Sequence, residues 1–520
     1  MQATTAVPEF DSPRPQLALT SRPGRVRAQV AERVESLYDA GANTRRTVGW
    51  RAPTVSSNQA LLANLTTLRD RSRAATRNDG YAKGVIDKLV TNVIGTGIQP
   101  LSQAADPAFR RALQALWLQW TDESDADGLL DYYGQQTQAV RTWFEGGEAF
   151  TRLRPRLPED GLSVPLQIQV LEPELCPHTH TVWSATARIR AGIEFNPIGK
   201  RVAYWFHPSR PEIDDFDAST LRRVPATSVQ HLYDPLRPGQ LRGLPLLVQA
   251  LIALYELDKY DDASLLKQQL ANLFVAFVTR TAPIVEPETV HPLTGLPVDR
   301  SVDDAPMLVM EPGIFQELNP GEDVKWSTPP AVDAAYPDFM RQQLLGVSAA
   351  TGVPYEVLTG DMSKVNDRTV RVILNEFRRR ITAWQHQIVV FQVCRPHWQA
   401  WMDQVFLSGA LPIPLAYLDD PSPWAAVEWQ PQGWPYINPT QDVQAQREAV
   451  RSGFKSRTRV VSEQGDSAAV IDAEQEADNT RADELRLRYD SDGRTAATPT
   501  AAAMFVPEPK AALAQTGAPA

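Results

Sequence analysis

Between Leu345 and Arg380 the chain reads LGVSAATGVPYEVLTGDMSKVNDRTVRVILNEFRRR. The residues there with chemistry to offer are Lys364, Asn366, Asp367 and Arg368. An ammonium, an amide, a carboxylate and a guanidinium set side by side suit passing contact with a phosphate backbone. No nucleophile–base pair accompanies them, so they do not point to bond-breaking. The flanking sequence says what must hold them. An apolar helical run ends at Gly352, and Pro354 reinforces the stop. A short turn, GVPYEVLTGD, follows. Asp361 or Ser363 is expected to cap the Arg-rich helix that comes next. A polar loop between two long helices lies on a surface and is a common place for function.

Elsewhere the search for chemistry returns little. The chain has no Walker A phosphate loop, no H-E-x-x-H, no cysteine pair at zinc spacing and no G-x-S-x-G. His178 and His180 alternate beside Cys176, but no fourth ligand lies near them, so no metal is expected. Asp214, Asp215 and Asp217 read as an exposed turn. Glu145-Gly146-Gly147-Glu148 reads as a helix-to-strand turn rather than a carboxylate pair. Gly95 and Gly97 lack the third glycine and the preceding strand of a dinucleotide fingerprint, and Pro100 follows them. No cofactor is expected.

Composition narrows the class. The chain has 520 residues, 42 prolines and a net charge of −10, with a pI near 5.4. It is long enough for more than one folding unit, and its acidity argues against a simple nucleic-acid binder. Charge is uneven: residues 22–77 are arginine-rich and Glu463 to Asp490 is acid-rich, which suits two different partners or two solvated faces. The two cysteines, Cys176 and Cys394, are expected to be buried free thiols. The N-terminus lacks a basic-then-apolar signal pattern, and no apolar run approaches the ~20 residues that a membrane span needs. We therefore expect synthesis in the cytoplasm and no membrane partner.

Periodicity divides the chain. Residues 1 to about 25 lack it, and a short helix fits Val26–Ala40. Helices are predicted from Ser57 to about Arg73, from Asn78 or Asp79 to Val93, over 107–122 and from Tyr132 to Phe144. Residues 148–235 then carry short β-rich runs, with a hairpin turn at Asn196–Gly199. The longest helical candidate follows Pro245, and its acids gather at Glu256, Asp258, Asp261 and Asp262. Residues 274–328 return to strands, FVAFVTRT, PMLVM and GIFQELNPGEDVKW among them. A helix runs from about Ala331 to Ala350, and another from Thr369 to Leu407 with Trp384, Phe391, Trp398 and Trp401 on one apolar stripe. A helix over Pro439–Gly453 and an Ala/Thr/Pro-rich tail from Thr495 complete the chain.

Several phrases, in order, resemble the portal (head–tail connector) proteins of lambda-type tailed bacteriophages. Gly352, Val353, Pro354, Tyr355, Glu356, Leu358, Thr359, Gly360 and Asp361 match that family's turn, with Arg371 as its helix arginine. Arg237, Pro238, Gly239, Gln240, Arg242, Gly243 and Pro245 match its "RPGQxRGxP" segment, and RNDGYAKGVIDKLVTNVIGTGIQP matches its early helix. The family often places an aromatic and two serines after the loop Asn; here Asp367, Arg368 and Thr369 stand instead. The resemblance covers about residues 60–465.

What it implies is a mixed α/β ring-forming fold. The divisions would be a basic N-terminal arm (1–56), a wing with helices then strands (57–245), a first stem helix (246–273), a small α/β clip (274–330), a second stem helix (331–351), a tunnel-loop region (352–368), wing and crown helices (369–465) and an acidic C-terminal segment with a tail (466–520). The implied function is a ring, twelvefold in this family, at one capsid vertex. It would nucleate head assembly, pass double-stranded DNA, retain it and release it. Implied partners are the terminase large subunit, major capsid and scaffold proteins, and head-completion and tail-connector proteins, so the implied location is the virion. Lys364, Asn366, Asp367 and Arg368 would form the DNA-tunnel loop, and Glu256, Asp258, Asp261 or Asp262 would face the lumen or the subunit seam. No enzymatic step is expected of the chain. The competing classes are a DNA-processing enzyme such as a nuclease, which needs a carboxylate cluster, and a scaffold or adaptor without a channel.

Overall fold

The computed structural model describes residues 54–184, 188–208, 221–272, 276–280, 322–326, 336–434 and 438–489, with 492 and 494 singly. The chain divides into residues 1–56 and 57–520, and the description below concerns the second unit. The expected arm and Val26–Ala40 helix, the Asp214, Asp215 and Asp217 turn, the PMLVM strand and the tail from Thr495 lie outside the described residues.

The N-terminal part is helical. α1 (Ser57–Leu62) and α2 (Leu65–Asn78) replace the single helix expected there, and the break falls at Ala63 and Asn64. α3 (Gly80–Val93) begins on Asp79, whose carboxylate accepts from the Tyr81 and Ala82 amides at 2.7 and 3.0 Å. After β1 (Gln99–Ser102) come α4 (Pro107–Thr121), with Pro107 in its first turn, and α5 (Tyr132–Gly146). α5 stops where Gly147 takes a left-handed φ of 89°.

The period then changes to that of strands. β2 (Ala149–Pro155) is central in an antiparallel three-stranded sheet between β3 (Leu166–Leu171) and β9 (Val229–Leu232). β4 (Val182–Trp183), β5 (Arg188–Arg190), β6 (Ile193–Phe195), β7 (Arg201–Phe206) and β8 (Arg222–Pro225) form a five-stranded antiparallel meander in sequence order. The Asn196–Gly199 hairpin forms as expected: the Gly199 amide donates to the Asn196 carbonyl at 3.0 Å, and Gly199 supplies φ 83°. The Phe150, Cys176, Ile193, Tyr204, Phe206, Val224 and Val229 side chains pack as one buried cluster.

A single 3₁₀ turn, Leu246–Gln249, precedes α6 (Leu251–Asn272), so the long helix starts later than Pro245 suggested. β10 (Ala276–Arg280) pairs antiparallel with β11 (Glu322–Trp326). α7 (Tyr336–Thr351), α8 (Tyr355–Thr359) and α9 (Asp367–Trp384) follow. A π-helical stretch, Gln385–Cys394, carries α9 into α10 (Arg395–Ser408). Its wider turns change the angular step per residue. This corrects one expectation: Trp384, Trp398 and Trp401 are buried, but Phe391 is 61% exposed and leaves the stripe. α11 (Ser422–Ala425), β12 (Val427–Gln430), α12 (Pro439–Arg451), α13 (Arg457–Glu463) and α14 (Ala468–Leu485) complete the unit.

The largest core joins the helical ends of the chain. Trp117, Trp120, Trp398 and Trp401 meet with ring centroids 4.9 to 5.2 Å apart for four of their pairs, an aromatic block that few other side chains could fill. Antiparallel pairing of β1 with β12 fastens the same halves. Both cysteines are free and buried, as the sequence suggested.

Candidate functional site

The α7–α9 connection is built from the family-like turn. Gly352 ends α7 with φ 72°, and its missing side chain makes room for Arg380. A Cβ there would overlap the Arg380 Nη1, which donates to the Thr351 carbonyl at 2.9 Å. Arg380 also lies over the Trp384 ring, 4.4 Å from its centroid. Val353 and Tyr355 are buried and seat α8 in the core. Gly360 ends α8 with φ 74°.

Asp361 does not cap α9, and neither does Ser363. The cap is Asn366, whose side-chain oxygen accepts from the Thr369 amide at 2.9 Å. Asp361 sits too early for that role; it accepts from the Ser363 amide, from Arg341 at 3.1 Å and from the Tyr355 hydroxyl at 3.2 Å. Pro354, Tyr355, Gly360 and Asp361 therefore form a rigid corner rather than a contact surface, and Arg371 lies half-buried on α9.

This corner holds out the loop. Lys364 is exposed, with the Asp338 carboxylate 4.0 Å from its Nζ, a separation at which an exposed pair contributes little. Arg368 is exposed at the start of α9 and makes no hydrogen bond or ion pair among the described residues. Asn366 is occupied as the cap. The Asp367 side chain lies outside the described residues. Two cations thus remain available where four side chains had been singled out.

The α6 acids separate in the same way. The Asp261 carboxylate accepts from the Tyr336 hydroxyl, and that bond pushes the Tyr336 hydroxyl up to about 12. Tyr260 packs on Phe339 at 4.6 Å beside it. Asp261 thus ties α6 to α7. Glu256, exposed, lies 3.4 Å from the Lys259 ammonium, and Asp258 and Asp262 are exposed with no ion pair among the described residues. Among the described side chains of this helix Leu254 and Leu257 are the buried apolar ones, whereas Ile252, Tyr255, Leu265 and Leu266 are exposed, Ile252 to 76%.

The other family-like segment, Arg237 to Pro245, has a structural role that the sequence did not disclose. Glu148 is fully buried where β2 begins. Its carboxylate accepts from Arg242 Nε at 2.6 Å, from Arg69, from His231 Nε2 at 2.8 Å and from the Gly243 amide at 2.9 Å. Burial alone would raise this carboxyl; the Arg242 and Arg69 guanidiniums outweigh it and hold Glu148 well below the usual range. Arg242 also donates to the Ala191 and Pro173 carbonyls at 2.9 and 3.2 Å. Gly243 admits no side chain: a Cβ would lie 1.9 Å from the Gly147 carbonyl oxygen. Gln240 is buried and donates to the Arg242 carbonyl, while Arg237 and Gly239 are exposed and Asn58 donates to the Gly239 carbonyl.

His231 completes the cluster. It stacks between Phe150 and Tyr233 with centroids 4.4 Å away on each side. Burial pushes it down to about 4, against the pull of Glu148. The neutral ring then donates from Nε2 to Glu148 and accepts at Nδ1 from Arg201 at 3.0 Å. Arg69, His231 and the buried role of Glu148 were missed by sequence reasoning, because each partner lies 79 to 95 residues from Glu148 along the chain. The only signal was an acid placed directly after a Gly-Gly turn at the start of a strand.

Among the described residues no group of three or more His, Cys, Asp or Glu side chains is placed to hold a metal, and no helix is long and apolar enough to cross a membrane.

The chain resembles known proteins at three levels: a family model, individual relatives and a solved structure. Residues 43–385 match the family model described as "Phage portal protein, lambda family". The chain is 26% identical over 418 residues to the probable portal protein of Halomonas phage phiHAP-1, covering 76% of each chain. It is 20% identical over 467 residues to portal protein B of Escherichia phage lambda, covering 82% of this chain and 86% of that one. Among solved structures, a chain from the neck of a native gene transfer agent particle superimposes with a TM-score of 0.40 at 14% identity, covering 76% of this chain and 91% of that chain.

Proposed function

The chain belongs to the lambda family of phage portal proteins, and from that premise we propose that copies of it close into a ring, twelvefold as the family resemblance implies, whose central hole is a channel for double-stranded DNA at one vertex of the capsid. One observation carries the reading. α6 buries Leu254 and Leu257 within its own chain yet leaves Ile252, Tyr255, Leu265 and Leu266 exposed. A helix with apolar residues beyond the covered face is suited to packing against further copies. In a ring every contact is heterologous and repeats until the circle closes.

The charges suit passage rather than storage of DNA. Duplex DNA carries one negative charge per ~1.7 Å of its axis, so a strongly basic bore would bind it through counterion release and stall it. Asp258 and Asp262 repeated around the axis would repel the backbone, while Lys364 and Arg368 on the α8–α9 loop would give a sparse circle of phosphate contacts. The work of moving DNA would come from the terminase, docked on the ring during packaging. Capsid and scaffold proteins would surround the ring during head assembly, and head-completion and tail-connector proteins would follow on it. The chain would then reside in the virion. Electron microscopy of the purified protein tests the core of this reading: rings with a central hole are expected, and monomers or solid particles would overturn it.

A further inference from the structure

A cleft of 720 Å³ opens at the hairpin end of the five-stranded sheet, where the Arg237–Leu241 segment passes the β6–β7 turn. Among the described residues four arginines line it, Arg188, Arg190, Arg201 and Arg237, and no aspartate or glutamate does. Arg201 is committed to Tyr204, Tyr233 and His231. Arg190 and Arg237 are exposed and make no ion pair among the described residues. Trp183 stands at the rim, 62% exposed, with Arg190 4.9 Å and Arg188 5.6 Å from its ring centroid. Exposed indole and guanidinium groups with no ion pair among the described residues, beside Phe195, make a surface for carboxylates carried next to an apolar side chain.

The same chain carries a segment of the opposite character. α14 reads AAVIDAEQEADNTRADEL, and only Ala468 and Ala482 in it are buried. Glu474, Glu476 and Glu484 are exposed and make no ion pair among the described residues, and Val470 beside them is 53% exposed. A helix that buries so little of itself finds little support within its own chain and is suited to bridging. It does not line the arginine cleft of its own copy.

We propose that the cleft is a docking site for the acidic α14 helix of a second copy of this chain. The inference rests on the ring reading, because cleft and helix occupy different parts of one chain. Such a pair joins two different patches, and repeated from copy to copy it makes the head-to-tail contact from which a ring closes. At 1.5 Å per residue the helix spans roughly 27 Å, so the cleft receives one stretch of it, with Glu474 and Glu484, which share the Val470 face of the helix, against Arg190 and Arg237 and Val470 toward Trp183.

Charge reversal in the full-length chain tests this. Arg190→Glu with Arg237→Glu, Glu474→Lys with Glu484→Lys, and all four together are compared with the parent by counting rings in negative-stain images across a salt series. Each two-site variant is expected to lower the ring fraction about tenfold near physiological salt, with protomer melting unchanged because all four side chains are exposed. The four-site variant is expected to recover most of the rings. Rings undiminished in the two-site variants, or not recovered in the four-site variant, would overturn the docking site and leave the ring reading standing. A parent protein that forms no rings would overturn both. If Arg190→Glu with Arg237→Glu instead weakens binding of a short DNA duplex while rings persist, nucleic acid is the occupant and the proposal is wrong.

Discussion

Arg242 and Glu148 meet at 2.6 Å with neither side chain exposed to solvent. The pair is joined by Arg69, by His231 and by the Gly243 amide, so one buried carboxylate draws donors from four residues, two of them guanidiniums. Removing one partner strands the other. We expect Arg242→Ala or Glu148→Gln to destabilise the protomer by about 3–5 kcal/mol, read from urea unfolding followed by circular dichroism. Arg242→Lys should recover little, because a single ammonium cannot also reach the Ala191 and Pro173 carbonyls. A lysine variant of parental stability would show that the fork is not needed.

Gly243 and Gly147 approach with no room between them. Gly243→Ala places a Cβ 1.9 Å from a backbone oxygen and should cost more than 2 kcal/mol, the roughly 1–3 kcal/mol of ordinary overpacking being a lower guide when backbone is the obstacle. Gly239→Ala, at φ 77° but with open space around it, should cost only about 1 kcal/mol. Equal losses in the two variants would contradict the packing account.

Acid should weaken the fold through His231. Its folded value of about 4 lies below an unfolded value near 6.5. Between those values the unfolded chain binds the extra proton, so stability rises with pH across that window and falls as pH drops through it. His397 lies lower still, near 3, from burial alone, and acts in the same direction. Glu148 adds a further loss as its own depressed value is approached. Urea midpoints should fall on going from pH 7 to pH 5, and a flat profile would contradict the burial of both rings.

The loop cations should matter for DNA and not for folding. Lys364→Ala with Arg368→Ala should leave protomer melting within about 0.5 kcal/mol of the parent, since both side chains are exposed. DNA packaged and retained in heads assembled with that variant should fall. Packaging and retention unchanged would remove the loop from the proposed DNA contact.

Exposed apolar residues on α6 should govern assembly. Ile252→Asp with Leu266→Asp should shift rings toward protomers in light scattering without lowering protomer stability, because neither side chain is buried in the single chain. Loss of fold instead of loss of rings would mean that these residues pack internally.

Much of this architecture was legible because it follows from local signals. Gly352 and Pro354 stop α7 where expected, Asp79 begins α3, and Asn196 to Gly199 turns the β6–β7 hairpin. Glycine and proline act through their own backbone preferences, which tertiary contacts rarely overrule. The site was less legible. Asn366 rather than Asp361 caps α9, because Asp361 finds Arg341 and Tyr355, partners that only the folded corner supplies. Phe391 left the apolar stripe because a π-helical stretch reset the helical phase, something spacing alone does not encode. The segment from Arg237 to Gly243 was recognisable as wording. That Arg242 neutralises a buried carboxylate placed 94 residues earlier is a long-range fact, as is the claim of Arg69 and His231 on the same carboxylate.

The Glu148 cluster also sets an order in time. A ribosome delivers Arg69 first, then Glu148, then His231, and only afterwards Arg242 and Gly243. Until that last segment emerges, Glu148 has half its guanidinium complement, and the place that Gly243 fills beside Gly147 stands open. The sheets can begin to pair on the nascent chain, but the unit around Glu148 cannot close before residue 243 is free of the exit tunnel. A chain ended by a premature stop ahead of Arg242 is therefore left with a buried carboxylate short of two of its donors, a state that quality-control proteases can recognise and one poorly suited to entering a ring.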